Sequence, residues 1–127
     1  MRGMVRILTQ VGIRTLEASQ RAQVKRFGVR VHQMKDFGRV PLVLPEGPVY
    51  VTVDMDALDP AFAPGVSHHE PGGLSVRDVL SIIQSLRGPV IGADIVELNP
   101  RRDLNGVTGM VAAKILKELV GAMVASC

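Results

Sequence analysis

The chain has 127 residues, 46% hydrophobic and 21% charged, which suits one globular domain with its own core and excludes a disordered tail. Aromatics make only 3% with no Trp, which argues against a base-stacking platform, and the single cysteine, Cys127, excludes an intrachain disulfide and a multi-cysteine zinc site. The net charge of +3 divides unevenly, with nine Lys/Arg against two acids in residues 1–40 and six against ten in the remainder. A basic first third raises nucleic acid as a partner. However, Arg21, Lys25 and Arg26 fall on one short polar helix, and no helix-turn-helix pattern accompanies them, so a solvated face is expected and no nucleic acid. No run of about 18 apolar residues occurs, so no membrane partner is expected. The start lacks the long apolar region of a signal peptide, and with one cysteine it fits a cytoplasmic location.

Val5 to Arg14 reads as a buried strand ending near Gly12. Thr15 then caps a helix over about 16–27 that Gly28 stops. Residues 29–34 alternate as a short strand, and 35–48, rich in Gly and Pro, form a connection. Residues 49–53 (VYVTV) make the best strand, followed by a long loop over 54–73. Ser75 opens the clearest helix, 75–86, with Asp78 at capping-box spacing. A strand over 90–96, a loop near 99–105 and a helix over 107–124 complete the chain. That last helix is apolar on two sides and is expected to be well buried, starting at Asn105 or Gly106. Strands alternating with helices predict a mostly parallel sheet flanked by helices, a three-layer αβα architecture.

The densest chemistry follows the best strand. Asp54 and Asp56, two residues apart, would share one face if the strand continued through them. Ligands of open parallel sheets bind beyond the carboxyl ends of the strands. Two carboxylates so close repel unless a cation or proton compensates, and oxygen donors suit Mg, Ca or Mn. The plainer alternative is a pair of loop acids bonded to backbone amides. Asp59, ahead of Pro60, fits that alternative best.

The run Thr52 to Leu74, TVDMDALDPAFAPGVSHHEPGGL, resembles the signature of the ureohydrolases, the arginase and agmatinase family of binuclear manganese hydrolases. Its DxDxxDP pattern is Asp54, Asp56, Asp59 and Pro60, followed by Gly72, Gly73 and the Ser75 helix. Asp94 to Pro100 resembles the family's DIVExNP strand end, and Gln10 to Arg14 also looks familial. The loop Pro64 to Pro71 is most similar to plant-type arginases and agmatinase-like proteins.

The resemblance implies an arginase-like αβα fold, lacking its N-terminal half, with residues 1–127 as the C-terminal part of a ureohydrolase domain. It implies that Asp54 and Asp56 are metal ligands for manganese, a pair of ions in the family, and that Glu97 binds the substrate guanidinium. A carboxylate suits that last task because it accepts two parallel N–H bonds. Asp94, three residues before Glu97, faces the opposite way on a regular strand and supports the site only if the strand breaks between them. Adjacent residues seldom aim at one metal, so His68 and His69 are expected to line the mouth of the site, and His32 to lie on the surface. The implied reaction is hydrolysis of a linear amidine C–N bond, arginine to urea and ornithine or agmatine to urea and putrescine. The family's metal-binding histidines belong to GGDH-like and DAHxD-like motifs that this sequence lacks, so the chain reads as an incomplete or inactive fragment. The alternative is a non-catalytic remnant that self-associates or binds a subunit. On either reading the uncovered sheet edge or apolar face is expected to give a homo-oligomer.

Overall fold

The computed structural model describes residues 5–125, which fall into two compact units that divide between Leu44 and Pro45. In the first unit, β1 (Thr9–Ile13) and β2 (Arg30–Gln33) pair in parallel around α1 (Ala18–Phe27). The strand expected from Val5 starts only at Thr9. Its partner begins at Arg30, whose N–H reaches the Leu8 carbonyl at 2.9 Å, and the residues before have nothing to pair with in that ladder. The helix is capped not by Thr15 but by Glu17, whose N–H donates to Gln20 Oε1 at 2.8 Å in a capping-box arrangement. No residue of α1 is buried, consistent with its Arg21, Lys25 and Arg26 as a solvated face.

The second unit holds β3 (Val49–Asp54), α2 (Val76–Gln84), β4 (Val90–Val96) and α3 (Val107–Val124). β3 and β4 run parallel, with Thr52 opposite Asp94 and Asp54 opposite Val96, so both strands end at the same edge. The four strands therefore form two parallel pairs, β1–β2 and β3–β4. α2 packs on α3, and α3 on β4. Val53, Leu80, Ile83, Val90, Ile115 and Leu119 form the heart of the core. As the sequence predicts, Ser75 caps α2 in a capping box with Asp78, its Oγ accepting from Asp78 N–H at 3.1 Å. The helix stops at Gln84, two residues short of the expected end, because Ser85 takes over its terminal bonds.

α3 departs from expectation. One side, Thr108, Ala112, Ile115 and Leu119, is buried, but Met110, Leu116, Val120 and Val124 on another side are exposed. Within this unit only one side of the helix meets α2 and β4, so its second apolar stripe has nothing to pack on.

The start of α3 anchors the unit. Asp103 accepts N–H bonds from Leu104, Thr108 and Gly109 at 2.8–2.9 Å, the last two being first-turn donors with no partner inside the helix. Thr108 is fully buried, and its Oγ1 accepts the Gly65 N–H at 2.7 Å. The Gly65 carbonyl in turn accepts the Asn99 N–H at 2.7 Å. A Cβ on Gly65 would lie 2.8 Å from that of Asp103 and 2.9 Å from that of Thr108, so only glycine lets the loop approach this closely. Gly65→Ala is expected to cost about 1–3 kcal/mol, as overpacked interiors do, read from urea midpoints.

Burial pushes the Asp103 carboxyl up, but the bonds from Thr108, Gly109 and Leu104 outweigh this and hold it below the usual carboxylate range. A depressed pKa contributes stability above the unfolded value of about 3.9 and loses it as pH falls through the folded one. The native chain should therefore lose stability below about pH 4 more steeply than Asp103→Asn, in denaturation curves taken across that range.

β4 ends abruptly because Glu97 has φ of 65°, a left-handed conformation that costs an L side chain about 1–2 kcal/mol. Glu97→Gly should hold stability or raise it by up to about 1 kcal/mol, the gain being limited by the greater freedom of the unfolded chain. Glu97→Ala keeps the strain, and its denaturation midpoint should show no such gain.

Candidate metal and guanidinium site

β3 does not continue through the DxD pair. Asp54 is its last residue, and Asp54 Oδ1 accepts the Asp56 N–H at 2.8 Å, turning the chain into a short 3-10 helix over Met55–Ala57. The shared-face argument for Asp54 and Asp56 therefore does not hold, because it assumed strand geometry. Met55 is driven fully into the core instead, Asp54 is exposed and Asp56 is half-buried. Sequence-local hydrogen bonding of an aspartate to the backbone has overridden the strand.

Asp59 fixes the next stretch. Its Oδ1 accepts from Ala61 N–H at 2.9 Å, and its Oδ2 accepts from Gly72 and Gly73 N–H at 2.7 and 3.1 Å. Both ends of the loop are thus tied to one carboxylate, the amide-binding role that its place before Pro60 suggested. Gly72 sits at φ of 86°, which suits glycine. Leu58 bridges to Leu74 in parallel, and both side chains are buried beneath the site.

The loop between is held from the other side by the end of β4. Val66 bridges Leu98, Asn99 Nδ2 donates to Ser67 Oγ at 3.0 Å, and an Arg102 guanidinium N–H donates to the Ser67 carbonyl at 3.1 Å. His69 Nε2 donates to the Pro64 carbonyl at 2.7 Å. The clamp delivers His68 to the acids. His68 Nδ1 lies 3.3 Å from Asp56 Oδ2, and one donor atom each of Asp56, His68 and Glu97 lie within 4.8 Å of one another.

The structure therefore gathers Asp56 and Glu97 from two separate motifs and adds His68, which sequence reasoning had placed at the mouth of the site without a ligand role. The signal for it was weak, since a histidine pair in a loop says nothing of which ring turns inward. Asp54 is not part of this triad. Asp94 lies before the break at Glu97 and bonds elsewhere, accepting the Tyr50 hydroxyl at 3.0 Å. That bond, and the negative charge behind it, push the Tyr50 hydroxyl pKa up. Two carboxylate oxygens and one imidazole nitrogen are a donor set that manganese accepts, harder than a zinc thiolate site and softer than an all-oxygen calcium site.

The family model described as Arginase family matches residues 2–121. The chain is 50% identical over 129 residues to the mitochondrial arginase of Medicago truncatula, an alignment covering 95% of this chain and 38% of that protein. It is 36% identical over 123 residues to a guanidinopropionase of Pseudomonas aeruginosa, covering 87% of this chain and 39% of the relative. The solved structure of the Medicago truncatula arginase superposes with a TM-score of 0.89 at 48% identity, over 96% of this chain and 41% of that one. An arginase-like protein of T. brucei, in a triple mutant bound with Mn2+, superposes with a TM-score of 0.84 at 30% identity, over 96% and 44%. The chain spans about two-fifths of the length of these relatives, and the two parallel strand pairs with their helices are part of an arginase-like αβα fold. By family match, identity and fold, this chain belongs to the Arginase family.

Proposed function

We propose that this chain is the portion of a manganese-dependent guanidino hydrolase that supplies Asp54 and Asp56 to the metal and Glu97 to the substrate. The convergence of Asp56 and Glu97 at the common end of β3 and β4 carries this reading, since they come from separate motifs and their donor atoms approach within 4.8 Å. Bound metal supplies Lewis acidity and an activated water for attack on the guanidinium carbon. The protein's own part is positional. Asp54 orients the turn that presents Asp56, Asp59 ties the loop at both ends, and the Gly65 clamp fixes Ser67 and His68. Glu97 accepts paired N–H bonds from the guanidinium and sets its carbon at the metal end of the site. The substrate is a small guanidino compound, arginine or agmatine.

In a complete protein carrying this segment, Glu97→Gln should lower kcat/KM for arginine or agmatine by about 100-fold with metal content unchanged, because one charged hydrogen-bond partner of the guanidinium is lost. Loss of metal in the variant would instead place Glu97 among the ligands in the working enzyme.

A second reading for the chain on its own is a non-catalytic module that pairs with another copy or subunit. The exposed stripe Met110, Leu116, Val120 and Val124 on α3 is the kind of surface such association covers. Urea release by the 127-residue chain with excess manganese decides between the readings.

A further inference from the structure

We infer that the groove between the end of α2 and the last turns of α3 binds a small organic anion, an apolar body carrying one negative head. The groove lies where β4 begins. Six residue steps of the strand, roughly 20 Å, separate it from the strand end beside Glu97, so it is distinct from the metal end of the unit.

Size and lining come first. The groove encloses about 740 Å3, inside the range of about 300–1,000 Å3 that takes a small molecule. Ile83, Leu86, Val90 and Ala122 give it apolar surface. Gly121 adds no side chain to its α3 wall, and a Cβ built there meets nothing within 4 Å, so the helix leaves open space at that point.

The walls are fixed before any ligand arrives. The turn from α2 into β4 is pinned on the segment ahead of β3, where a Cβ on Gly88 would lie 1.9 Å from the Gly47 carbonyl oxygen and the Pro89 carbonyl accepts the Val49 N–H at 2.8 Å. The other wall belongs to an 18-residue helix that packs on α2. A preformed groove spares a ligand the cost of ordering it.

Charge decides the sign of the ligand. Arg87, Lys117 and Glu118 border the groove. Glu118 is already engaged, accepting from Gln84 Nε2 at 3.0 Å and pairing with Lys114 one turn earlier in the helix. Those bonds hold its carboxyl below the usual carboxylate range, so it stays charged and Lys114 offsets that charge. Arg87 and Lys117 have no acidic partner among the described residues. Nor is Arg87 needed to cap α2, whose last carbonyls accept from the Ser85 N–H, the Ser85 hydroxyl and the Leu86 N–H. Two unengaged cations over an apolar floor complement a ligand with an anionic head and an apolar tail.

The test is calorimetric titration of the 127-residue chain with octanoate at low salt. One octanoate per chain is expected, with hexanoate about tenfold weaker for the loss of two methylenes. Arg87→Gln and Lys117→Gln should each weaken binding about threefold to fivefold, as partly exposed charges do. Gly121→Leu fills the open space and should weaken binding more than about tenfold, while replacing a helix-weakening residue by a strong helix former. Val120→Ser, on the exposed stripe of α3, should leave the affinity unchanged. Octylammonium binding as tightly as octanoate, undiminished affinity in Gly121→Leu, or loss in Val120→Ser would each overturn the inference. So would the absence of saturable binding at millimolar octanoate. None of these readings involves Asp56 or Glu97, so the proposed function stands or falls separately.

Discussion

Gly65 donates its N–H to the buried hydroxyl of Thr108 and receives the N–H of Asn99 on its carbonyl, and the whole edge of the second unit hangs on that exchange. Neither partner can be satisfied by water, because Thr108 is fully buried. An unpaired group there would carry the full desolvation penalty rather than the small net value of a hydrogen bond. The exchange also needs the absence of a side chain, since Asp103 and Thr108 occupy the space a Cβ would take. One residue thereby links the N-terminus of α3, the end of β4 and the loop that carries His68.

From this junction the constraints propagate outward in two directions. Toward the helix, Asp103 gathers the first-turn N–H groups of Thr108 and Gly109 that would otherwise be orphaned, and its negative charge sits at the positive end of the helix dipole. Toward the site, Asn99 and Arg102 bind Ser67, one residue from His68, while Asp59 binds Gly72 and Gly73 at the far side of the same loop. A loop of this length normally costs entropy to order. Here its ends and middle are fixed by groups that belong to regular elements, so an exposed histidine can be aimed without being buried.

Much of this was legible in the residues. β-Branched runs marked β3 and β4, Ser75 with Asp78 marked the start of α2, Gly28 and Gly106 marked helix ends, and the two motifs placed Asp56 and Glu97 at strand ends. What escaped notice was decided by contacts remote in sequence or by backbone geometry. The 3-10 turn after Asp54 replaced a strand because a side-chain oxygen outcompeted the ladder for the Asp56 N–H. Glu97 took a positive φ that its residue type disfavours. His68 is set beside Asp56 by bonds from Asn99 and Arg102 to its neighbour Ser67, some thirty residues away, which no local pattern encodes. Thr15 lost the cap to Glu17 because Gln20 could reach back to the Glu17 N–H.

The same distinction explains α3. Its sequence is apolar around most of its circumference, and periodicity alone equates that with burial on all sides. Burial requires partners, and in the second unit α2 and β4 cover one side only. The stripe through Met110, Leu116, Val120 and Val124 stays exposed because neither element reaches it. The site at the opposite end of the argument has a different character. Its supports, Asp59, Gly65, Asn99, Arg102, Asp103 and Thr108, all lie within the second unit. The polar scaffold that aims Asp56, His68 and Glu97 is closed within the unit, so the geometry of the triad draws nothing from the exposed stripe of α3.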